Sequence, residues 1–273
     1  MAEPTVVELA IEAGTFTSLV AALEAADLVA ALSGEGPFTV FAPDDAAFAA
    51  FEEEHPGVLA SLSTDELTAV LTYHVLAAEV LSTDLVDGSI AETLNGAYVG
   101  IELSDGVKVG GADVTAADLI ASNGVIHVID RIILPPGENL VETAVSAGSF
   151  TQLAAALVAT GLDATLADGG PFTVFAPTDD AFDAFEAANP GVLGSLTEAA
   201  LTDILLYHVV DGWVGAADLV DGSSVPTLLT DASLTIDLSS GVVVNESSVV
   251  AANVLATNGV IHVIDEILLP PSP

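Results

Sequence analysis

Apolar residues at the start of the chain recur at helical spacing. Leu9 and Ala13 form one set, and a second set runs from Phe16 to Leu23. Residues three or four positions apart lie on the same side of an α-helix. Gly14 separates the two sets, and glycine is unfavourable inside a helix. The pattern therefore predicts two short helices with a break at Gly14.

The next segment predicts a strand, a corner and a helix. The run Phe38–Phe41 is apolar and β-prone, as expected of a buried strand. Pro43 ends the run, and the Asp44 side chain can accept a first-turn N–H as a helix N-cap. Phe48 and Phe51 are three residues apart and so share one face of the helix that follows. We interpret the segment as a core strand joined to a capped amphipathic helix.

Three further elements complete the first half of the chain. Ser63 is a suitable cap for a helix that runs to the pair Tyr73-His74. Alternating apolar residues on both sides of the turn 104–106 predict a β-hairpin. The apolar run 124–129 then predicts a closing strand that precedes a pair of prolines.

Nearly the same features return in the second half. The stretch 36–48 is repeated at 170–182, an offset of 134 residues. Near the end the offset is 135, since Asn123–Asp130 is repeated as Asn258–Asp265. One residue has therefore been inserted in the second copy, near the hairpin, where a loop tolerates an insertion.

The long repeat period sets the expected domain organisation. Solenoid proteins repeat every 20 to 50 residues, roughly, so this period indicates tandem globular domains. The segment Pro135-Pro136-Gly137 is a short and fairly stiff linker. We therefore predict two domains, residues 1–136 and residues 137–273.

The charge of the chain is extreme. It contains 40 acidic and 2 basic residues, a formal net charge of −38, with Lys108 and Arg131 as the only fixed cations. Such a surface repels itself at low ionic strength, whereas molar salt shortens the Debye length to about 3 Å and screens most of the repulsion. We hypothesise a halophilic or strongly saline habitat; an acidic secreted protein of an ordinary organism is the alternative. Nucleic acid and anionic membranes are poor partners because both require a cationic surface.

Composition limits the remaining classes. The 52% hydrophobic content suffices for two cores, which excludes a disordered chain. The absence of cysteine removes disulfides, thiolate catalysis and cysteine-based zinc sites. No apolar run reaches the roughly 18 residues of a membrane helix, so we expect no direct insertion in a membrane. The start Met1–Pro4 lacks the basic and apolar segments of a secretion signal. This leaves open whether the protein stays inside the cell or has lost a leader.

Three motifs together resemble the fasciclin (FAS1) domain. They are Thr39–Pro43 with its acidic cap, the pair Tyr73-His74, and Asn123–Asp130, and all recur in the same order in the second half. The resemblance covers nearly the whole chain. It implies an α+β fold in which each domain is a β-wedge or sandwich with packed helices. It also implies a domain that is usually extracellular or surface-attached and is used for adhesion or matrix binding.

The resemblance implies binding residues as well. Tyr73-His74 and Tyr207-His208 match a pair that is implicated in integrin adhesion in animal relatives. Asp118 lies in a segment that resembles another adhesion-linked segment, although the second copy has Asn253 there, and the chain contains no Arg-Gly-Asp. Because the charge suggests a microbe, we carry over adhesion or surface binding and not the receptor.

Each candidate residue also has a structural interpretation. The pairs Tyr73-His74 and Tyr207-His208 can belong to the core. His127 is in phase with the apolar residues of its strand, which favours a buried imidazole hydrogen-bonded to backbone. Trp213, the only tryptophan, has no equivalent in the first copy and marks either a partner contact specific to the second domain or core packing.

The sequence offers little for catalysis or for metal binding. It contains no Gly-x-Ser-x-Gly elbow, no glycine-rich phosphate loop and no His-Glu-x-x-His helix. Asp44-Asp45 and Asp179-Asp180 do not sit in a loop with alternating oxygen ligands, so helix capping explains them better than calcium. We expect neither an enzyme nor a cofactor nor a metal site.

The sequence therefore predicts a non-enzymatic adhesion protein adapted to high salt. Its expected partners are cell-surface or matrix proteins or polysaccharides, with self-association as a further option, and its expected location is extracellular or at the cell surface. The alternative is a soluble carrier of an apolar ligand such as a carotenoid. The apolar surfaces around Phe48, Phe51, Phe182 and Phe185 could supply its groove, and a filled core explains them equally well.

Overall fold

The computed structural model describes residues 3–271, and the chain divides into two compact units between Pro135 and Pro136. The predicted boundary after Pro136 lies one residue from this division. The first two residues of the segment Met1–Pro4, considered above for a leader, lie outside the described residues. None of the helices within residues 3–271 is long and apolar enough to span a bilayer.

The first unit begins with helices and continues with most of its strands. Its elements are α1 (Val6–Ala13), α2 (Thr17–Ala25), α3 (Val29–Leu32), β1 (Phe38–Pro43), α4 (Asp45–Glu54), α5 (Val58–Ser61), α6 (Thr64–Tyr73), β2 (Val75–Leu76), a 3-10 turn (Ser82–Asp84), β3 (Ile90–Glu92), β4 (Tyr98–Glu102), β5 (Lys108–Val109), β6 (Ala112–Ala121) and β7 (Gly124–Ile129).

The second unit repeats the same order of elements. They are α7 (Leu140–Ala147), α8 (Thr151–Thr160), α9 (Leu162–Asp168), β8 (Phe172–Pro177), α10 (Asp179–Ala188), α11 (Val192–Ser195), α12 (Glu198–Tyr207), β9 (Val209–Asp211), a 3-10 turn (Ala216–Asp218), β10 (Ser224–Pro226), β11 (Ser233–Asp237), β12 (Val243–Val244), β13 (Ser247–Ala256) and β14 (Gly259–Ile264).

Over the described residues, the strands of each unit form one seven-stranded mixed sheet. The order is β2-β1-β7-β6-β5-β4-β3 in the first unit and β9-β8-β14-β13-β12-β11-β10 in the second. The opening strand pairs in parallel with the closing strand, and the other pairs are antiparallel. The α+β prediction is therefore confirmed, as are the hairpin across 104–106 and the closing strand.

The centre of each sheet is buried on both faces. In β1, Val40 and Ala42 face a core formed with α1, α2 and α6, whereas Phe41 faces a second core that contains Val99 and Ile129. β8 divides its side chains in the same way between two cores. Burial on both faces explains why this strand is a continuous apolar run and not an alternating one.

The helix boundaries follow from capping side chains. Asp44 accepts from the Ala47 N–H at 2.8 Å, so the predicted N-cap is confirmed. Thr178, at the equivalent position of the repeat, accepts from Ala181 N–H at 3.3 Å and caps α10 in the same way. The break at Gly14 is confirmed too, since this residue ends α1 in the left-handed conformation. Left-handed backbone is where glycine has no steric penalty.

The acid after each cap lies in the first turn of its own helix and also caps a second helix. The Asp45 carboxylate accepts from Ser18 N–H at 2.7 Å and from the Thr17 hydroxyl at 2.8 Å, which places it at the start of α2. Burial raises the pKa of Asp45, but these hydrogen bonds outweigh burial and hold the pKa below its usual value. Asp179 caps α8 in the same way. A long-range contact thus supplies the cap that the local sequence lacks.

The repeated Asn-Gly pair anchors the closing strand. Oδ1 of Asn123 accepts from Val6 N–H at 2.8 Å, and its Nδ2 donates to the carbonyl oxygens of Leu32 and Gly34, both at 2.9 Å. A Cβ on Gly124 would lie 2.0 Å from the carbonyl oxygen of Phe38, so only glycine fits there. The motif therefore joins the first helix and the opening strand to the closing strand.

Candidate functional site

The first Tyr-His pair is buried where α6 ends. Tyr73 is 3% exposed and His74 is 2% exposed. His74 donates from Nδ1 to the Val70 carbonyl oxygen at 2.7 Å, and its Nε2 accepts from Ile133 N–H at 3.1 Å. The Tyr73 hydroxyl donates to the Tyr98 carbonyl oxygen at 2.9 Å. The pair therefore ties α6 to β4 and to the segment after β7.

The second pair repeats this arrangement almost atom for atom. His208 donates from Nδ1 to the Ile204 carbonyl oxygen at 2.8 Å and accepts at Nε2 from Leu268 N–H at 2.9 Å. The Tyr207 hydroxyl donates to the Ser233 carbonyl oxygen at 2.9 Å. Because the same hydrogen bonds form in both domains, we interpret the Tyr-His pair as a structural feature of the fold.

Burial sets the protonation of these groups. Loss of hydration lowers the pKa of His74 and His208 to about 4, and it raises the pKa of Tyr73 to about 12. Both imidazoles are therefore neutral at pH 7, with both ring nitrogens engaged. The geometry supports the structural interpretation of the two pairs, and partner contact through these side chains stays a prediction.

Asp118 lies at a bulge in β6, with its side chain half-buried. Its φ of 59° is left-handed, and the register of β6 against β7 shifts between Ala116 and Leu119. Its carboxylate accepts from the N–H and the hydroxyl of Ser82, at 2.8 and 2.5 Å. These two hydrogen bonds hold the pKa of Asp118 below its usual value, and burial opposes them.

Asn253 repeats this bulge in the second domain. It has a φ of 57° and accepts from Ala216 N–H at 2.9 Å. Asp and Asn tolerate left-handed backbone better than most residues. The Asp-to-Asn difference between the copies, which looked like loss of a functional acid, preserves the backbone role. A binding role for the Asp118 carboxylate stays a prediction.

Trp213 is half-buried in the loop between β9 and the second 3-10 turn. Thr173 holds the backbone on both sides of it, because its hydroxyl donates to the Gly212 carbonyl oxygen at 2.7 Å and accepts from Val214 N–H at 2.9 Å. Glu79 occupies the equivalent loop of the first domain. The fold thus presents a tryptophan on an anchored loop in one domain and an acid in the other.

The remaining duplicated histidines are structural. His127 and His262 are fully buried and donate from Nε2 to the carbonyl oxygens of Val80 and Val214, at 2.8 and 2.9 Å. Each ring also stacks on a buried phenylalanine, with centroids 5.8 and 5.3 Å apart. The predicted buried, backbone-bonded histidine is therefore confirmed.

The surface carries almost uncompensated negative charge. Lys108 pairs with Asp113 at 3.5 Å, and Arg131 pairs with its neighbour Asp130 at 3.4 Å. Within residues 3–271 these two are the ion pairs formed by fixed charges. Attraction between fixed charges therefore offsets little of the repulsion.

A concavity with a mixed polar and apolar lining lies in the second domain. A cleft of about 660 Å³ opens between α10, the turn into β13 and the segment after β14. Its lining includes Phe185, Asn245, Glu246, Glu266 and Leu269. Sequence reasoning did not find this cleft, because its walls come from four separate segments of the chain, Thr235 of β11 included.

Two tandem α+β domains, each with the same buried Tyr-His pair and closing strand, define a modular protein built from one repeated domain. The sequence profile described as the fasciclin domain matches residues 14–135 and 148–270. The chain belongs to the fasciclin-domain family.

Relatives extend from cyanobacteria to mammals. Protein sll1483 of Synechocystis is 50% identical over 137 residues, which is 48% of this chain and 74% of that protein. Transforming growth factor-beta-induced protein ig-h3 of Sus scrofa is 34% identical over 88% of this chain and 36% of its own length. The chain thus spans about a third of that mammalian relative. A FAS1 domain pair from the insect cell adhesion molecule fasciclin I aligns over 96% of this chain and 95% of that one, with 21% identity and a TM-score of 0.46.

Proposed function

We propose that the chain is a non-enzymatic adhesion protein that contacts cell surfaces or an extracellular matrix. The observation that carries the proposal is that both halves match the fasciclin domain. The resemblance to this domain implies adhesion or matrix binding. Its location on this proposal is extracellular or at the cell surface. Its partners are surface or matrix proteins or polysaccharides.

The proposed contacts are those candidate side chains that solvent can reach. Trp213 and Asp118 are half-buried, whereas the two Tyr-His pairs are enclosed. Tryptophan is enriched among the residues that dominate binding energy at interfaces. We place the main contact at Trp213 and a second one at Asp118, and we assign the Tyr-His pairs the task of holding the surrounding elements.

Binding of coated beads tests this assignment. Beads carrying the protein are incubated at high salt with microbial cells and with polysaccharide-coated surfaces, and retention is counted. Trp213→Ala is expected to lower retention several-fold, while Glu79→Ala at the equivalent loop of the first domain is the matched control. Asp118→Asn tests the acid without disturbing the bulge, because Asn253 already occupies that position in the second domain.

Conservative variants separate binding from folding at the buried pairs. Tyr73→Phe and Tyr207→Phe each remove one hydroxyl that donates to a backbone carbonyl. They are expected to lower the melting temperature by a few degrees and to leave retention unchanged. Full retention by all of the variants, Trp213→Ala included, would count against adhesion through these residues.

We also propose adaptation to high salt. The support is a formal net charge of −38 together with so few ion pairs to offset it. Melting followed by circular dichroism in 0.1 to 3 M NaCl is expected to show stability rising with salt as the repulsion is screened. Sucrose at matched water activity is the control for non-ionic effects. A melting temperature independent of NaCl would refute salt adaptation.

The carrier alternative is supported by incompletely covered phenylalanines. Phe51 and Phe185 remain half-buried, whereas Phe182 is 8% exposed and belongs to the core. Expression in a carotenoid-producing host, followed by visible absorbance of the purified protein, tests carriage. A colourless preparation would argue against it.

A further inference from the structure

The cleft of the second domain joins an apolar wall to an acidic rim. Helix α10 contributes Phe185 and alanines, and the segment after β14 contributes Ile267 and Leu269. Leu269 is 50% exposed, so its side chain offers apolar surface at the edge of the cleft. At about 660 Å³ the cleft falls within the range of small-molecule sites, roughly 300 to 1,000 Å³.

The acidic side chains of the rim are free to bind a cation. Glu246 and Glu266 are exposed, and within residues 3–271 neither carboxylate takes part in a hydrogen bond or ion pair. Asp265 differs, because its Oδ1 already accepts from Ser248 N–H at 2.7 Å. The second domain contains no Lys or Arg, so its own sequence offers no fixed counter-charge.

The aromatic wall adds a second attraction for positive charge. The face of an aromatic ring attracts cations, and this interaction is used to recognise quaternary ammonium groups. In the first domain His55 lies against Phe51, with ring centroids 4.9 Å apart. In the second domain Asn189 replaces the histidine and turns its amide to the Phe185 carbonyl oxygen at 3.1 Å. Phe185 therefore lacks the aromatic neighbour that its counterpart has.

The charge of the rim also differs between the domains. Glu246 corresponds to Gly111, and Glu266 corresponds to Arg131. The Arg131 side chain is 60% exposed, so the equivalent surface of the first domain carries a cation where the second carries an anion. The same architecture thus carries two acids at this rim in the second domain and a single arginine, paired with Asp130, in the first, which serves as an internal comparison.

We propose that this cleft binds a small organic cation with an apolar body, of the alkylammonium or arylammonium class. The ammonium head lies against Phe185 between Glu246 and Glu266, and the apolar body covers Leu269 and Ile267. This function is separate from adhesion and requires no contact with a cell or a matrix.

Calorimetric titration with benzyltrimethylammonium tests the proposal. We expect one site per chain. We also expect benzyltrimethylammonium to bind at least tenfold more tightly than two reference ligands. Tetramethylammonium lacks the apolar benzyl group, and benzyl alcohol lacks the positive charge. The double variant Glu246→Gln/Glu266→Gln and the single variant Phe185→Leu are each expected to weaken binding about tenfold.

Matched controls separate the cleft from the general charge of the protein. Asp168→Asn/Asp203→Asn removes the same charge from exposed positions of the second domain outside the cleft, and Phe51→Leu repeats the aromatic change in the first domain. Both are expected to leave the affinity unchanged. The proposal is overturned if the cation fails to bind, if benzyl alcohol binds equally well, or if the controls weaken binding as much as the cleft variants do. Circular dichroism verifies that each variant is folded.

Discussion

The buried histidines make a quantitative prediction about acid stability. His208 is 2% exposed, and both ring nitrogens are hydrogen-bonded to backbone, with Nε2 acting as an acceptor. Protonation would remove that acceptor and place a charge in a dry interior. Loss of hydration accordingly lowers the pKa of this group from 6.5 to about 4.

The direction of the pH effect follows from proton linkage. Below about pH 6.5 the unfolded chain binds a proton at this imidazole, and the folded domain does not until about pH 4. The free energy of unfolding therefore falls as the pH falls between these values. Between pH 7.5 and 5.0 the loss amounts to about 2 kcal/mol from His208 alone. His262, whose pKa burial also lowers, adds to the loss with the same sign.

Trp213 provides the assay because it is the only tryptophan and lies in the second domain. Urea unfolding followed by its fluorescence, in 2 M NaCl at pH 7.5 and 5.0, measures the stability of that domain. The salt is held constant so that carboxylate repulsion stays screened. Titration of the imidazole by NMR gives the pKa of His208 independently.

A variant isolates the contribution of this side chain. His208→Gln is expected to be less stable at pH 7.5, because Leu268 N–H loses its acceptor, and to show a pH-dependent loss smaller by about 2 kcal/mol. His55→Gln, at an exposed histidine of the first domain, is the control and leaves the loss intact. An NMR pKa near 6.5 for His208, or an unchanged loss in His208→Gln, would refute the reasoning.

Three further variants test two hydrogen-bonding side chains and one glycine that hold strands and loops in place. Thr173→Val keeps the side-chain shape but removes both hydrogen bonds that clamp the Trp213 loop, and should cost about 1–3 kcal/mol in urea unfolding. Asn258→Ala removes an amide that accepts from one helix and donates to the end of another, and should cost about 2–4 kcal/mol by the same measurement. Gly124→Ala places a Cβ 2.0 Å from a backbone oxygen and should abolish stable folding by circular dichroism, whereas Gly100→Ala meets nothing within 4 Å and should fold.

Local patterns predicted most of the fold. Several features depend on only a few adjacent residues, so the local sequence is sufficient to predict them. They are the caps at Asp44 and Thr178, the helix break at Gly14 and the closing strand. The position of the inserted residue was also predictable. It lies in the turn before β11, which has six residues (227–232) where the turn before β4 has five (93–97).

Long-range contacts were beyond sequence reasoning. Asp45 caps a helix that ends 20 residues before it, and a bulge in β6 decides the conformation of Asp118. The candidate site was affected most, because the burial of a Tyr-His pair depends on segments that only the folded chain brings together. The alternating pattern of its strand indicated an interior position for His127. No such pattern indicated burial of His74, which lies at the end of a helix.

The two copies act as an internal control on which features the fold requires. Residues that make the same bonds in both domains, such as His74 and His208, satisfy a requirement of the architecture, so their recurrence carries no information about a partner. Side chains that differ at equivalent positions are free of that requirement. Trp213 opposite Glu79 and Glu266 opposite Arg131 are such differences, and both change the chemistry of an accessible surface. A function that distinguishes the domains must therefore depend on positions where the two copies have different side chains. We place both the adhesive contact and the cation-binding cleft at such positions.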